Sequence, residues 1–210
     1  MLSKPKSLVV VKRLLKTWPA EFTQNGVSAA TRVSVSHVNG IIRTLGRKFI
    51  VSSPPYKLTE PRKLLLTLAA ESSMAERLYA AYELPGEKAD IEKKLAKEFG
   101  GKISYAFTLL SALPITTATT PASHLAQGRQ VSLYVDEKQL EQADGVIRKL
   151  GGSNSSIGNV QVFTANEGTL KDREKTKLGY CASFEQLLID LYASPALLYV
   201  GQELLASKEG

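Results

Sequence analysis

The stretch Ser34-Val35-Ser36-His37-Val38-Asn39-Gly40-Ile41-Ile42-Arg43-Thr44-Leu45 decides how this chain is read. Val38, Ile41, Ile42 and Leu45 recur at i, i+3, i+4 and i+7, the one-sided apolar stripe of an amphipathic helix. Ser34 precedes the stripe as an N-cap, and Gly46 follows as a stop. The opposite face carries Ser36, His37, Asn39, Gly40 and Arg43. These are short or hydrogen-bonding groups with one cation. A helix that enters a major groove needs such a face, because short side chains permit close approach and polar ones meet phosphates and base edges. Each residue also has a plainer reading. His37 can be an ordinary surface residue, Arg43 and Lys48 solvated charges, and Gly40 a packing glycine.

The flanking order separates these readings. Upstream, Ser7–Trp18 places Leu8, Val11, Leu14, Leu15 and Trp18 at helical spacing, with Ser7 as cap and Pro19 as terminator. Glu21-Phe22-Thr23 reads as a short extended piece. Thr23 then caps a second helix over Gln24–Arg32, anchored by Val27 and Ala30 and weakened by Gly26. Downstream, Lys48–Val51 and Tyr56–Thr59 flank Ser52-Ser53-Pro54-Pro55 and predict a β-hairpin. Helix, helix, helix and hairpin, in this order, is the plan of a winged helix-turn-helix. The hairpin and its approach hold Arg47, Lys48 and Lys57, which can reach flanking phosphates. The predicted DNA-contacting set is therefore Ser34, Ser36, His37, Asn39, Arg43, Arg47, Lys48 and Lys57.

Charge supports the same division. Met1–Lys63 holds 12 Lys/Arg against Glu21 and Glu60, while Leu64–Gly210 holds 15 against 18 acids; net charges of +10 and −3 make up the +7 of the chain. A basic head on a nearly neutral body points to a polyanion partner for the head. We expect two domains, a winged helix-turn-helix over 1–70 and a small α/β unit over 71–210, within an α+β class. With 43% hydrophobic and 22% charged residues the composition is globular. Cys181 is the single cysteine, which excludes an intramolecular disulfide and a cysteine-based metal cluster. Two histidines do not make a zinc site, and no metal or other cofactor is expected. Lys12 and Arg13 interrupt the apolar Leu8–Val11, so no signal-peptide core forms. No stretch approaches the ~20 apolar residues of a membrane span. A cytoplasmic location is expected.

In the body, Pro61 opens a helix over Arg62–Glu71. Arg77–Leu84 reads as a strand or extended connector. Glu87–Phe99 is an amphipathic helix whose Lys88, Lys93, Lys94 and Lys97 are opposed by Glu87, Asp90, Glu92 and Glu98. Ser104–Leu113 is expected to be a buried helix, and Pro114–Ser123 a loop. Val131–Val135 and Asn159–Thr164 are strands, separated by a helix over Glu137–Leu150. Lys171–Lys177 is a charged loop or hairpin tip, and Leu178–Ala182 a short strand. Ser183, with Gln186 three residues on, forms a capping box for a helix buried by Leu187, Leu188 and Leu191. Ser194-Pro195 starts a last helix through Leu205.

Three motifs occur in order: Tyr56-Lys57-Leu58-Thr59 running into Pro61-x-x-Leu64-Leu65, then Phe107-Thr108-Leu109-Leu110-Ser111-Ala112 before Ser132-Leu133-Tyr134-Val135, then Tyr180-Cys181-Ala182-Ser183-Phe184-Glu185-Gln186-Leu187-Leu188-Ile189-Asp190-Leu191. Over roughly residues 7–205 the chain resembles the AbiEi-like antitoxins of type IV toxin–antitoxin systems, linked to phage abortive infection. The resemblance implies a winged-helix head that represses its own operon. It also implies an α/β body like an inactive nucleotidyltransferase fold, and a cognate nucleotidyltransferase-like toxin as partner. The chain departs from the family's Thr-Gly-Leu-Ser-Ala-Ala type of run, reading Thr108-Leu109-Leu110-Ser111-Ala112 instead.

Two other function classes stay open beside DNA-binding regulation. A winged helix can serve protein contacts alone. A live nucleotidyltransferase would need paired carboxylates holding metal ions on a triphosphate. Asp136 and Glu137 are adjacent, so on an extended chain they point to opposite sides. Gly100-Gly101 has no matching acids, Gly151-Gly152 reads as a helix stop, and no GxxxxGK[ST] loop exists. His37 and His124 complete no nucleophilic triad. The chain is therefore expected not to be an enzyme. A repressor of two half-sites would bind duplex operator DNA as a symmetric homodimer.

Overall fold

A computed structural model of the chain describes residues 2–50, 53–71, 73–116 and 128–208. It is a mixed α+β structure. The amino-terminal part runs α1 (Pro5–Thr17), β1 (Glu21–Phe22), α2 (Gln24–Thr31), α3 (Val35–Phe49), β2 (Tyr56–Lys57) and α4 (Pro61–Glu71). Caps explain the starts of α2 and α3. The Thr23 hydroxyl accepts from the Gly26 N–H at 3.1 Å, and the Ser34 hydroxyl from the His37 N–H at 3.4 Å. Ser7 does not cap α1, contrary to expectation. Lys4 holds the N-cap position, Pro5 opens the helix, and Ser7 lies buried one turn in. Proline at the first helical position loses nothing by lacking an N–H, so it overrides the weaker serine signal.

Gly46 breaks α3 as its sequence predicts. Its φ of 52° and ψ of −161° are open only to glycine, and one more helical turn, Arg47–Phe49, follows the break. That turn corrects the expected hairpin. Lys48 and Phe49 are helical, and only Ile50 bridges to Leu58, with the Thr59 N–H donating to the Phe49 carbonyl at 2.8 Å. Val51 and Ser52 lie outside the described residues. Tyr56–Lys57 pairs instead with Glu21–Phe22, antiparallel, and the Phe22 and Tyr56 rings stack at 5.8 Å. An aromatic cross-strand pair outweighs the local preference for a longer hairpin.

The rest of the chain builds a seven-stranded sheet. Its elements are α5 (Met74–Arg77), β3 (Leu78–Glu83), α6 (Lys88–Phe99), β4 (Tyr105–Phe107), α7 (Leu109–Thr116), β5 (Val131–Asp136), α8 (Leu140–Lys149), β6 (Ser153–Asn154), β7 (Val160–Ala165), α9 (Glu167–Leu170), β8 (Glu174–Lys175), β9 (Tyr180–Cys181), α10 (Phe184–Tyr192) and α11 (Leu198–Ser207). The spatial order is β6-β3-β7-β5-β4-β9-β8. β5 runs parallel to β7, and β4 parallel to β9; the other pairs are antiparallel.

Several expectations in this part are corrected. Ser104–Leu113 is not one helix, because Tyr105–Phe107 is a strand buried on both faces and the chain turns at Leu109, φ 47°, into α7. A continuous apolar run fits a sandwiched strand as well as a helix, and the sheet decides. α7 also carries Pro114 inside it, where a loop was expected to begin; residues 117–123 of that expected loop lie outside the described residues. The strand near Cys181 is shorter than expected, Tyr180–Cys181, and pairs with β8 at the tip of the charged Lys171–Lys177 segment. The box at Ser183 forms only in half: its hydroxyl accepts from the Gln186 N–H at 3.3 Å, but the Gln186 side chain turns inward. The helix expected over Glu137–Leu150 begins as a 3-10 turn over Glu137–Gln139 before α8.

Alternation along β5 separates the two faces of the sheet. Val131, Leu133 and Val135 join Ile91, Leu95 and Phe99 of α6 and Ile147 of α8 in one buried cluster. Tyr134 joins Phe163 and Ala165 on the other face, in a cluster that runs without interruption into the amino-terminal helices. There Leu8, Val11 and Leu14 of α1, Ile41 and Leu45 of α3, and Leu64 and Leu68 of α4 share one core with Leu187, Leu188 and Leu191 of α10 and Leu204 of α11. Lys12 adds a polar tie. Its amine lies 3.3 Å from the Asp172 carboxylate with the side chain 2% exposed, and burial pushes its pKa down against the pull of that acid.

Candidate nucleic-acid interface

Helix α3 sets the site. Val38, Ile41, Ile42 and Leu45 are all buried, and this fixes the helix rotation. The complementary face then turns to solvent by geometry alone. Ser34, Ser36, His37 and Arg43 are exposed, as are Gly40 and Thr44. Asn39 is half-buried: its side-chain oxygen accepts from the Gln24 amide at 3.2 Å, and the same amide donates to the Tyr56 hydroxyl at 3.1 Å. This small network connects α2, α3 and β2 and holds the Asn39 side chain in one orientation.

Arg47 and Lys48 are exposed beyond the carboxyl end of the stripe, and Lys57 is exposed on β2, where it pairs with Glu21 of β1. A groove between the end of α3 and α4 brings Arg47 and Lys48 together with Lys63, whose amine lies 3.3 Å from the Glu60 carboxylate. No acidic residue occurs between Glu21 and Glu60 in the sequence, so α3 itself has no negative charge on any face. At its other end, Ser34 and His37 border a cleft shared with Pro5, Lys6 and Val9 of α1, with Arg32 and Val33, and with Glu167, Gly168 and Lys171 around α9. The sequence reading missed Lys6, Arg32 and Lys171 there. No periodicity or motif links positions so far apart in the chain; only the packing of α1 against α9 does.

No family model matches the chain, and no curated protein matches it. Among solved structures it is similar to the crystal structure of the Megavirus polyadenylate synthase, with 12% identity and a TM-score of 0.38, over 98% of this chain and 41% of that one. The chain thus spans less than half the length of that protein.

Asp136, the acid weighed for catalysis, ends β5 and caps the 3-10 turn that follows. Its carboxylate accepts from the Lys138 N–H at 3.0 Å. Among the described residues, no group of three or more His, Cys, Asp or Glu side chains could hold a metal ion. The most concentrated polar constellation lies elsewhere, inside the molecule. The Asp190 carboxylate, fully buried on α10, accepts from the Thr108 hydroxyl at 2.5 Å, the Tyr134 hydroxyl at 2.7 Å and the Gln186 amide at 2.8 Å. Arg77 donates to the Tyr134 oxygen at 2.9 Å and stands 3.6 Å from Asp190. Burial raises the Asp190 pKa, against the guanidinium and the three donors, which favour the anion. These residues join α5, the β4–α7 corner, β5 and α10. Their arrangement is that of a structural clamp. Asp190 was legible as a polar residue on an apolar helical face, four positions after Gln186, but its partners were not.

Among the described residues, no helix is long and apolar enough to cross a membrane.

Proposed function

We propose that the chain is a DNA-binding transcriptional regulator, with its amino-terminal third acting as a winged helix-turn-helix and α3 as the groove-reading helix. The observation that carries this reading is the combination on α3. Its apolar stripe is fully used in the core, and its outward face presents Ser36, His37 and Arg43 in a stretch of sequence free of acids. Exposed Arg47, Lys48 and Lys57 supply backbone contacts. Asn39, oriented by Gln24, keeps its amide donors for a base edge. The regulator works by binding; catalysis forms no part of this reading.

On the strength of the family resemblance, the regulated operon is its own, and the body docks a nucleotidyltransferase-like toxin. A symmetric dimer reading two half-sites completes the proposal.

Fluorescence anisotropy with duplex DNA from upstream of the chain's own gene tests it. Binding should weaken steeply with salt, with a log–log slope of about −0.9 per phosphate neutralised. Arg43→Ala should cost about 1–3 kcal/mol on the specific site and narrow the gap to random DNA. Replacing Arg47 and Lys48 together should weaken both sequences alike and flatten the slope by about 2. A wild-type chain that ignores this DNA at low salt would leave the protein-contact reading in its place.

A further inference from the structure

A cleft of about 320 Å³ lies where α1, the α2–α3 turn and α9 meet, lined by Pro5, Lys6, Val9, Arg32, Val33, Ser34, His37, Glu167, Gly168 and Lys171. Its size falls in the range of small-molecule sites. Three cations from three separate segments, Lys6, Arg32 and Lys171, converge on it against the single acid Glu167. Lys171 is held in place by donating to the Thr31 carbonyl at 2.8 Å. The side chains of Lys6 and Arg32 make no ion pair or hydrogen bond among the described residues.

The walls are tightly fixed on the body side. Gly168 approaches the Pro5 backbone so closely that a Cβ there would stand 2.5 Å from the Pro5 carbonyl oxygen. Any side chain at 168 would force α9 and α1 apart and open the floor of the cleft. The backbone of Arg32 is unusual. It closes α2 in the left-handed region, with φ 57° and ψ 28°, a position at which glycine is the common choice and arginine is strained. The chain thus carries a long cation where the backbone alone would favour none.

We propose that this cleft is a binding site for a phosphate group, gripped by Arg32, Lys6 and Lys171 together. Planar guanidinium donors and flexible amines suit a tetrahedral anion with several acceptor oxygens, and three cations against one acid leave the cleft net positive. The phosphate has two possible sources. One is a small phosphate-bearing molecule; the other is the DNA backbone, since Ser34 and His37 form part of both the cleft and the outward face of α3. The site itself does not depend on the DNA reading; only the second source rests on it.

Titration of the full-length, ¹⁵N-labelled chain with inorganic phosphate, at constant ionic strength and with chloride as control, tests the site. Saturable shifts are expected at the amides of Arg32, Ser34, His37, Gly168 and Lys171, and not with chloride. Arg32→Gly removes the cation and relieves the left-handed backbone, so its melting temperature should hold or rise while phosphate binding weakens about tenfold, the loss of one charge-assisted contact. Arg32→Lys should restore most of the affinity. The source is read from DNA binding by Arg32→Gly and Lys6→Gln. If the salt slope flattens by about one per cation, the backbone phosphate occupies the cleft; if DNA binding is unchanged while phosphate binding falls, a small molecule does. Should wild type ignore DNA yet still show the phosphate shifts, the regulator reading fails and the site stands. The site is overturned if shifts fail to saturate, appear equally with chloride, or are untouched by Arg32→Gly.

Discussion

Asp190 carries the sharpest consequence of any single side chain. It has no contact with solvent and takes hydrogen bonds from three donors, with Arg77 standing alongside. Truncation to alanine strands all three donors and leaves the guanidinium without its counter-charge. Asp190→Ala should therefore cost about 3–5 kcal/mol, read as a lowered urea midpoint. Its pH behaviour has a definite sign. Burial, opposed by Arg77 and the donors, holds the folded-state pKa above the ordinary aspartate value of 3.8. A raised folded-state pKa means the folded chain binds the proton first, so this group's contribution is largest in acid and falls as pH rises through that value. The stability of wild type relative to Asp190→Asn should accordingly decline as the pH is raised above the ordinary aspartate range; a gap that grows instead would contradict the assignment. Cys181 gives a simpler outcome. Burial pushes its thiol up to about 11 and leaves the residue 1% exposed. Iodoacetamide should leave it unmodified in the native protein at pH 8 and label it after denaturation, as followed by mass spectrometry.

Helix ends and corners form the next level. Thr23 starts α2 by a single hydroxyl contact, and that eight-residue helix contains a glycine and ends in a left-handed arginine. Little else holds it locally, so Thr23→Ala should cost about 1 kcal/mol, measurable by chemical denaturation. Gly46→Ala should cost at least as much, about 1–3 kcal/mol, because φ 52° with ψ −161° is barred to a Cβ. The cap residues, Gly46 and the α3 stripe were legible in the sequence because each acts through neighbours within one turn. The Tyr105–Phe107 strand was not. An apolar stretch bounded by a helix on one side and a tight corner at Leu109 has no period of its own, and its pairing partners lie 26 or more residues away, at Leu133 and Val135 and at Cys181. The two-stranded β1–β2 ribbon was half-legible. Both segments read as extended, but the hairpin logic paired Tyr56–Lys57 with its nearer neighbour, whereas the Phe22–Tyr56 stack joins it to the more distant one.

Across the whole molecule, the basic head shares its core with one face of the nearly neutral body, whose other face keeps a cluster of its own. Leu8, Leu14 and Leu64 are buried in the same apolar cluster as Leu187, Leu191 and Leu204, and the buried amine of Lys12 pairs with Asp172. Heat denaturation followed by circular dichroism and by the fluorescence of Trp18 should show one coincident transition. Leu188→Ala in α10, under the amino-terminal helices, should lower both signals together by an amount equivalent to about 2–5 kcal/mol.

The sequence alone determined the features that depend on neighbours in the chain: the amphipathic stripe of α3, its cap and its glycine stop, the cations around it, and the charge contrast between the two parts. From the stripe it followed that Ser36, His37 and Arg43 would face outward, since a helix has only one side to bury. Tertiary structure decided everything that depends on distant segments meeting. It placed Thr108, Tyr134 and Gln186 on Asp190, brought Lys171 and Gly168 to the head of α3 beside Lys6 and Arg32, and sandwiched Tyr105–Phe107 within a sheet. The reason is range. Helical periodicity and capping act over three or four residues, whereas burial and ion pairing act through space, and the chain carries no local mark of where it will meet itself.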